Sequence, residues 1–362
     1  MNVDACRLYT YTLPLSKPIL VKGQPVSERQ GIILELEAGG HIGYGEIAPL
    51  EGFSTESLAQ AQEQIIRVRS FLLNEPIPEG IELLRGECAA WLGELNLYPS
   101  VRFGVEMAAL NLKASREGKP LCQLLASHTH KTIPLNGLLN GDLEYVLAQA
   151  RTLVAEGYKG LKLKVGQNLK EDITKVKALN ALIQGKALLH VDANRQWSVE
   201  EAIRFGEEVG VAGVTYIEEP FADLSRMHEF YEKTMIPVAL DESLREISFD
   251  QVKPLDAVDI LVLKPSLLGG IECVWQLIRD AKRFGMETLI SSIFESSLGI
   301  YTLMNIAGCS FRNNAAGLDT LKYFMADLFK TPIGCERGAL ILKDQPLNGE
   351  ALNRDYLTPI AF

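Results

Sequence analysis

One stretch of the sequence decides the fold: residues 187–220 read ALLHVDANRQWSVEEAIRFGEEVGVAGVTYIEEP. The apolar runs ALLHV at its start and VTYI near its end are typical of buried strands. Between them, Ser198–Val209 carries apolar residues at helical spacing. Ser198 and Glu201 form a capping box, which marks the first turn of that helix. The stretch therefore predicts a strand–helix–strand unit, the building block of parallel sheets.

The same order of strand and helix repeats along the chain from about residue 132 onward. Seven apolar runs, nearly all followed by a helical pattern, predict strands at Ile133–Leu139, Gly160–Val165, Ala187–Val191, Val214–Ile217, Pro237–Leu240, Ala257–Leu263 and Glu287–Ile290. Seven such units before Gly317 favour a closed (β/α) barrel over an open sheet. We therefore predict an α/β fold built on a barrel of parallel strands.

The N-terminal part of the chain has a different pattern. Three strand-like runs, the last two forming a hairpin around a Gly-Gly turn, lie at Arg7–Leu13, Gly31–Glu37 and His41–Ile47. Helical spacing follows from about residue 57 to residue 127, so we predict an α+β unit there. Gly338–Leu342 is again strand-like, and we expect the C-terminal residues to return to the N-terminal unit.

Charge and cysteine content narrow the class of protein. The formal charge of −10 disfavours binding to nucleic acid and to anionic membrane surfaces. The six cysteines lie far apart without a C-x-x-C pair, which indicates reduced thiols. The sequence begins without a signal-peptide pattern and has no apolar run of transmembrane length. We expect a cytoplasmic enzyme with a small-molecule carboxylate substrate, and we find no pattern from which to predict the oligomeric state.

Polar side chains, most of them charged, stand at the end of one predicted strand after another. Starting from Lys164, the intervals are 28, 26, 23, 23 and 27 residues, about one strand–helix unit each. They lead to Asp192, Glu218, Asp241, Lys264 and Ser291. Lys162 shares a strand face with Lys164 because side chains alternate along a strand. Since barrel enzymes carry their chemistry at the carboxyl ends of the strands, we predict that these residues form a site.

Three carboxylates on adjacent strands repel one another unless a cation lies between them. An all-oxygen ligand set with few protein donors suits Mg²⁺, so we predict a magnesium site formed by Asp192, Glu218 and Asp241. A divalent cation and ammonium groups nearby lower the pKa of an amine. A neutral Lys164 is then able to take a proton from carbon next to a carboxylate, and the ion stabilises the charge that forms.

Other interpretations of the same residues remain open at this point. A single Asp or Glu after a strand more often caps a helix, and Lys162 and Lys164 alone fit a solvated strand edge. A metal-free aldolase would use one of these lysines to form a Schiff base, but it leaves the three carboxylates without a purpose. A non-catalytic binding protein would not need Lys164. The recurrence of five ionisable groups at the unit spacing favours the metal site.

These residues resemble the enolase superfamily, and within it the muconate lactonizing enzyme group. The motifs K-x-K, D-A-N, E-E-P, D-E-S and K-P-S carry this resemblance and begin at Lys162, Asp192, Glu218, Asp241 and Lys264. Four longer stretches are similar to the o-succinylbenzoate synthase family in particular: GYGEIAPLEGFS from Gly43, VLKPSLLGG from Val262, SSIFESSLG from Ser291 and GLDT from Gly317. The resemblance implies a modified (β/α)7β TIM-like barrel of residues 129–318. It also implies an α+β capping domain of residues 1–128, completed by residues 319–362.

The resemblance further implies a role for each site residue. The three carboxylates would bind Mg²⁺, which Mn²⁺ would be able to replace. Lys164 would be the base, Lys264 would stabilise the anion from the opposite face, and Lys162 would neutralise the substrate carboxylate. The remaining substrate contacts would come from Asn194, Phe53, Ser54, Ser266, Ser291 and Ser292, with Glu242 behind them.

The activity that the resemblance implies is dehydration of 2-succinyl-6-hydroxy-2,4-cyclohexadiene-1-carboxylate to 2-succinylbenzoate, a lyase step of menaquinone or phylloquinone biosynthesis. An N-acylamino acid or dipeptide racemase on the same scaffold is the alternative, since it would use Lys164 and Lys264 as two bases. One position departs from the pattern of the group. Many members have arginine two residues before the first metal-binding Asp, where this sequence has His190. We expect His190 either near the site or in the barrel interior.

Overall fold

The computed structural model describes residues 1–21, 23–310, 314–347 and 349–361. Its strands are β1 (Ala5–Val21), β2 (Gln24–Ala38), β3 (His41–Ile47), β4 (Thr132–Pro134), β5 (Asn136–Leu139), β6 (Gly160–Lys164), β7 (Leu188–Asp192), β8 (Ile217–Glu218), β9 (Val238–Leu240), β10 (Val258–Leu263), β11 (Glu287–Ile290), β12 (Cys335–Glu336), β13 (Ala339–Ile341) and β14 (Thr358–Pro359). Its α-helices are α1 (Leu58–Asn74), α2 (Glu87–Leu92), α3 (Pro99–Glu117), α4 (Leu121–Leu125), α5 (Leu143–Ala155), α6 (Leu169–Ile183), α7 (Val199–Val209), α8 (Met227–Thr234), α9 (Phe249–Val252), α10 (Pro265–Leu268), α11 (Ile271–Arg283) and α12 (Ser297–Ser310).

Seven parallel strands, in the order β5 to β11, form the barrel sheet. Its two edges meet at residues 316–317, because Ala316 bridges to Leu135 and Gly317 bridges to Ser291 in the parallel direction. This segment takes the position of an eighth strand between the two edges, which confirms the predicted (β/α)7β barrel. The barrel strands also form a small apolar cluster, separate from the main core, that consists of Tyr216, Ala239, Ile260, Val262 and Leu289.

An antiparallel sheet in the order β14-β1-β2-β3 forms the capping unit together with α1 to α4. Helix α3 lies so close to β3 that a Cβ atom on Gly45 would stand 1.8 Å from the carbonyl oxygen of Gly104. The C-terminal residues return to this sheet, since Pro359 pairs with Tyr9. The division into a capping domain of 1–128 and 319–362 and a barrel of 129–318 stays a prediction, which these pairings support.

Several predicted strands differ in extent from those observed. The run Ile133–Leu139 is divided, because β4 pairs with β13 in a separate three-stranded sheet and only β5 enters the barrel. The first two strands are longer than predicted: β1 continues to Val21 and β2 begins at Gln24, with irregular pairing between them from Pro14 to Ile19. Prolines in this stretch lack N–H donors and interrupt the ladder, which hid the continuation of the strand in the sequence.

Buried carboxylates join the capping unit to the barrel by exchanging helix caps. Glu106 on α3 accepts the backbone N–H groups of Ile271 and Glu272 at the start of α11, at 2.6 and 2.9 Å. Glu272 in turn accepts three backbone N–H groups at the start of α2, at 2.7–3.1 Å. The first N–H groups of a helix have no partner within the helix, so each unit supplies acceptors that the other needs.

None of the helices in the described part of the chain has the length and apolar content that a bilayer crossing requires.

The capping box of Ser198 and Glu201 is present at the start of α7, as predicted. All six cysteines are free thiols, which agrees with the absence of paired spacings in the sequence. The fold places the predicted charged residues of the site in or directly after β6 to β10, Ser291 and Ser292 after β11, and Phe53 and Ser54 in the capping unit.

Candidate active site

The barrel strands bring the predicted charged residues to one level. Lys164 on β6 lies beside Asp192 on β7, which lies beside Glu218 on β8. Asp241 and Lys264 each follow directly after the last residue of their strands, β9 and β10. Asp192, Glu218 and Asp241 are only 0%, 1% and 6% exposed. Three carboxyl groups are therefore buried at neighbouring strand ends.

Each of these carboxyl groups has a lysine as its counter-charge. Lys162 Nζ lies 2.7 Å from both oxygens of Glu218 and 2.8 Å from Oδ2 of Asp192. Lys164 Nζ lies 2.6 Å from the same oxygen of Asp192. Lys264 donates to Oδ2 of Asp241. Buried charges require such partners, so the side chains of the site balance one another's charge.

Burial and neighbouring charges shift the carboxyl pKa values in different directions. Burial raises the pKa of Glu218 to about 8, and the charge of Asp192 adds to the effect while Lys162 opposes it. Burial acts the same way on Asp192, but Lys162 and Lys164 outweigh it and hold its pKa well below the usual range. The pKa values of these two neighbouring carboxyl groups are thus shifted in opposite directions, although Lys162 contacts both.

The neighbouring carboxylates raise the pKa values of two lysines of the site, Lys162 and Lys264. Burial lowers the pKa of Lys162, but the charges of Asp192 and Glu218 outweigh it and raise the pKa well above its usual value. Burial likewise opposes the charges of Asp241 and Glu218 at Lys264, whose pKa is raised on balance. Both of these amines therefore stay protonated beside the carboxylates, and the predicted neutral base, Lys164, is a different lysine.

The residues fit a hard divalent cation in their donor chemistry, because carboxylate oxygens from three neighbouring strands are the ligands that Mg²⁺ prefers. The charges of Asp192 and Asp241 add to the effect of burial in raising the pKa of Glu218, and a cation between the three carboxylates would oppose that repulsion. As they stand, no three His, Cys, Asp or Glu side chains within the described ranges are gathered around one ion position. The carboxylate oxygens face the lysines instead. The metal-ligand assignment stays a prediction.

Asn194 links the predicted base to Glu242. Its Oδ1 accepts a hydrogen bond from Lys164 Nζ at 2.8 Å, and its Nδ2 donates to Oε1 of Glu242 at 3.0 Å. The other oxygen of Glu242 is buried without a partner among the described residues, and burial raises the pKa of this carboxyl group. Asn194 therefore orients the amine of Lys164, and its amide is already engaged on both sides.

Some of the predicted substrate contacts already make hydrogen bonds within the protein, and others adjoin the predicted catalytic lysines. The ring centroid of Phe53 lies 5.7 Å from Lys264 Nζ, so an aromatic side chain of the capping unit adjoins a predicted catalytic lysine. Ser291 and Ser292 lie at the end of β11, and the hydroxyl of Ser292 is 2.9 Å from that of Thr320.

Two further predicted contacts use their hydroxyl groups within the protein. Ser54 Oγ accepts the backbone N–H of Leu50 at 3.0 Å, which closes a turn of the capping unit. Ser266 Oγ donates to Oε1 of the buried Glu295 at 2.6 Å. Ser54 keeps its hydroxyl hydrogen free to donate, whereas donation by Ser266 to a substrate would compete with its bond to Glu295. Both substrate contacts stay predictions.

His190 lies in the barrel interior, the second of the two positions considered for it. It is 0% exposed and stacks on Tyr216, with the ring centroids 4.2 Å apart. Burial lowers its pKa to about 3, and the charge of Lys162 adds to the effect. Neither ring nitrogen has a partner among the residues that the structure describes. His190 is thus a neutral aromatic neighbour of Lys162 on the adjacent strand.

Glu219, which sequence reasoning did not single out, holds two of the strand ends in place. It is 0% exposed, and its φ of +45° lies in the left-handed region, which few residues other than glycine adopt. One of its oxygens accepts the backbone N–H groups of Asp241 and Ser243, both at 2.8 Å. The other accepts Ser243 Oγ at 2.8 Å and Arg195 Nε at 2.9 Å.

Comparison with known proteins decides the family. The family described as Enolase C-terminal domain-like matches residues 145–356, and the family described as MenC, N-terminal domain, matches residues 3–112. The o-succinylbenzoate synthase of Aliivibrio fischeri is 31% identical over 348 residues, which are 94% of this chain and 98% of that protein. The chain belongs to the o-succinylbenzoate synthase family of the enolase superfamily. The family member of Haemophilus influenzae is 34% identical, over 89% of this chain and 91% of its own.

Solved structures share the fold of this family member. The N-succinyl Arg/Lys racemase from Bacillus cereus has a TM-score of 0.86 and 23% identity, and the match covers 98% of this chain and 97% of that one. The dipeptide epimerase from Cytophaga hutchinsonii, solved in complex with Mg and the dipeptide D-Ala-L-Val, has a TM-score of 0.86 and 22% identity over 99% of both chains. The predicted family and fold class are confirmed.

Proposed function

We propose that this chain catalyses the dehydration of 2-succinyl-6-hydroxy-2,4-cyclohexadiene-1-carboxylate to 2-succinylbenzoate, in the biosynthesis of menaquinone or phylloquinone. Family membership supports the reaction, since the relatives from A. fischeri and H. influenzae are o-succinylbenzoate synthases. The observation that carries the proposal is the placement of two lysines on opposite sides of the carboxylate cluster. Strands β6 and β10, which lead to Lys164 and Lys264, stand four places apart in a ring of eight strand positions.

Lys164 is the proposed base. As a neutral amine it would remove the proton from the ring carbon that bears the substrate carboxylate, and Asn194 would hold the amine at a fixed angle. The ammonium group of Lys264, on the opposite side and next to the ring of Phe53, would stabilise the negative charge that develops. Hydroxide would then leave with the proton that Lys164 has gained. One C–H and one C–O bond break, one water molecule forms and the ring becomes aromatic.

Asp192, Glu218 and Asp241 are the residues we propose to hold Mg²⁺, with Mn²⁺ as a substitute. When bound, the ion supplies positive charge for the substrate carboxylate and so favours loss of the neighbouring proton. Lys162, which now contacts both Glu218 and Asp192, would exchange part of these contacts for the substrate carboxylate. The proposed contacts for the succinyl chain remain Phe53, Ser54, Ser291 and Ser292.

A racemase acting on N-acylamino acids or dipeptides is the second candidate. The same observation favours it, because lysines on opposite sides of one carbon are able to remove a proton from one face and return it to the other. The two reactions differ in Lys264: a racemase needs it to exchange a proton, whereas a dehydratase needs only its charge.

The deciding experiment assays the purified chain with the cyclohexadiene carboxylate and, separately, with N-succinyl amino acids, with Mg²⁺ and after EDTA treatment. We expect magnesium-dependent dehydration as the main activity, with Lys264→Arg keeping more of it than Lys164→Arg. Racemisation without dehydration would contradict the proposal. Activity that survives EDTA together with borohydride trapping of a substrate adduct would support the aldolase interpretation.

We also propose that the chain works in the cytoplasm on a free small-molecule carboxylate, without nucleic acid or membrane as a partner. Its formal charge of −10 opposes binding to polyanions. The six free cysteines suit a reducing compartment.

A further inference from the structure

An apolar cluster made half by the capping unit and half by the barrel lies next to Lys264. We call it the roof; its members are Val21, Leu50, Leu267 and Ile293, with Ile19, Val26, Phe53 and Phe294 packed against them. Leu267 lies on α10, directly after Lys264, and Phe53 places its ring 5.7 Å from Lys264 Nζ. The roof therefore adjoins the predicted catalytic lysine, and one of its members, Phe53, is a proposed contact of the succinyl chain.

The buried side chain of Arg29 joins the two halves of the roof. Arg29 on β2 is 3% exposed, and its guanidinium group donates to three backbone carbonyl oxygens. Two belong to the capping unit, Ala48 at 2.7 Å and Pro49 at 3.2 Å, and the third is that of Phe294, at 3.0 Å, in the loop after β11. Pro49 and Phe294 are the chain neighbours of the roof residues Leu50 and Ile293. One side chain thus fixes the distance between the two loops.

We propose that Arg29 is a positioning residue that sets the shape of the roof and so the selectivity for the succinyl chain of the substrate. The inference rests on the proposed function, since that reaction supplies the succinyl chain. The guanidinium group suits the task because it is planar and points several N–H groups in fixed directions. A lysine at this position carries the same charge but has a single nitrogen, which is unable to reach three carbonyl groups of two loops.

Arg279 provides a matched control. It too is an arginine that joins the barrel to the capping unit through backbone carbonyl groups, since it extends from α11 to Leu83, at 3.3 Å, and to Leu84. These contacts lie away from the roof. A change at Arg279 therefore tests loss of contact between the two units in general, whereas a change at Arg29 tests the roof.

The experiment compares wild type, Arg29→Lys and Arg279→Lys, each checked for folding by thermal denaturation. Calorimetry in the presence of Mg²⁺ measures the Kd for 2-succinylbenzoate and for benzoate, which lacks the succinyl chain. For Arg29→Lys we expect a Kd for 2-succinylbenzoate about tenfold higher and a Kd for benzoate within about twofold of wild type. The KM for dehydration should rise about tenfold with kcat within about threefold, because the roof contacts a part of the substrate that is unchanged in the transition state. Arg279→Lys should match wild type for both ligands.

Equal affinities of Arg29→Lys and wild type, equal losses for both ligands, or the same loss of selectivity in Arg279→Lys would each overturn the inference. If Arg29→Lys does not fold, Arg29→Gln, which keeps one N–H donor group, is measured in the same way. Wild-type protein that does not dehydrate the cyclohexadiene substrate would remove the proposed function and this inference with it. An active wild type together with an Arg29→Lys variant that shows no specific loss of affinity for 2-succinylbenzoate would remove the inference alone.

Discussion

Replacing Glu219 by glutamine should loosen the strand ends that carry the predicted metal ligands. The carboxylate accepts four hydrogen bonds, and glutamine presents an NH2 group in place of one oxygen. The glutamine side chain has two possible orientations. In the first, its NH2 group faces the backbone N–H groups of Asp241 and Ser243, so donors meet donors. In the second, the NH2 group faces Arg195 Nε, which is again a donor, and the Ser243 hydroxyl, which is able to turn and accept a hydrogen bond from it. The second orientation is less costly, but it loses the charge-assisted bond to Arg195.

The cost follows from these contacts. A hydrogen bond to a charged group contributes about 1.5–3 kcal/mol, and a buried donor left without a partner costs about 1–3 kcal/mol more. We therefore expect Glu219→Gln to lower the free energy of unfolding by about 3–5 kcal/mol, the range for breaking a buried ion pair. Because Glu219 holds the backbone of Asp241, Mg²⁺ affinity should fall by about 10–100-fold, as it does when groups behind metal ligands are removed.

Urea unfolding and calorimetric titration with Mg²⁺ measure the two effects. Glu246→Gln is the matched control, because Glu246 is the other carboxylate partner of Arg195, at 2.7 Å, but is 62% exposed. Loss of an exposed ion pair costs at most about 1 kcal/mol, and we expect unchanged Mg²⁺ affinity. If Glu219→Gln binds Mg²⁺ as tightly as wild type, the carboxylate does not hold the ligand backbone in place and the reasoning is wrong.

Three further changes test the site and the fold. Lys164→Ala should reduce turnover by about 10²–10⁴-fold without weakening Mg²⁺ binding, since it removes the base but no proposed ligand; full activity in a steady-state assay would refute that role. The pKa of Glu218 is about 8 in the folded chain against an ordinary 4.5, so the folded state binds this proton more tightly. The free energy of unfolding of the EDTA-treated protein, measured by urea unfolding, should therefore fall by up to roughly 1 kcal/mol per pH unit as the pH rises from about 5 to about 8. If Glu218→Gln shows the same dependence of stability on pH, Glu218 is not its source. Gly45→Ala should lower the free energy of unfolding by more than about 4 kcal/mol, because backbone atoms of α3 occupy the position of the added Cβ atom. Gly93→Ala is the control: nothing lies within 4 Å of its Cβ position, so its melting temperature should differ little from that of wild type.

The barrel could be predicted because its strands are short, apolar and separated by helices at a regular interval. That regularity also located Lys164, Asp192 and Glu218, which the strand register places side by side. Strand ends were less predictable. β8 is only Ile217–Glu218, although the apolar run begins at Val214, because periodicity does not tell which residues of a run pair with both neighbours.

Residues that act through backbone contacts could not be found from the sequence. Along the chain, Arg29 is 19 residues from its acceptor Ala48 and 265 residues from its acceptor Phe294. Every residue has a backbone carbonyl group, so the sequence does not indicate which of them accept. Glu219 was visible only as the second acid of the E-E-P motif, and its left-handed backbone conformation has no sequence signal in a residue other than glycine. The sequence likewise carried no sign that the hydroxyl of Ser54 closes a turn, and the substrate contact assigned to this residue stays a prediction.

The caps that Glu106 and Glu272 exchange have a consequence for protein engineering. A chimera that grafts the N-terminal module of a relative onto this barrel would leave α11 without its acceptor unless the graft brings a glutamate at the position of Glu106. The barrel would likewise bury the Glu272 carboxylate against a foreign loop whose N–H groups need not match it. Compatibility between modules in such a graft would then depend on two reciprocal acids, neither of which is among the proposed substrate contacts.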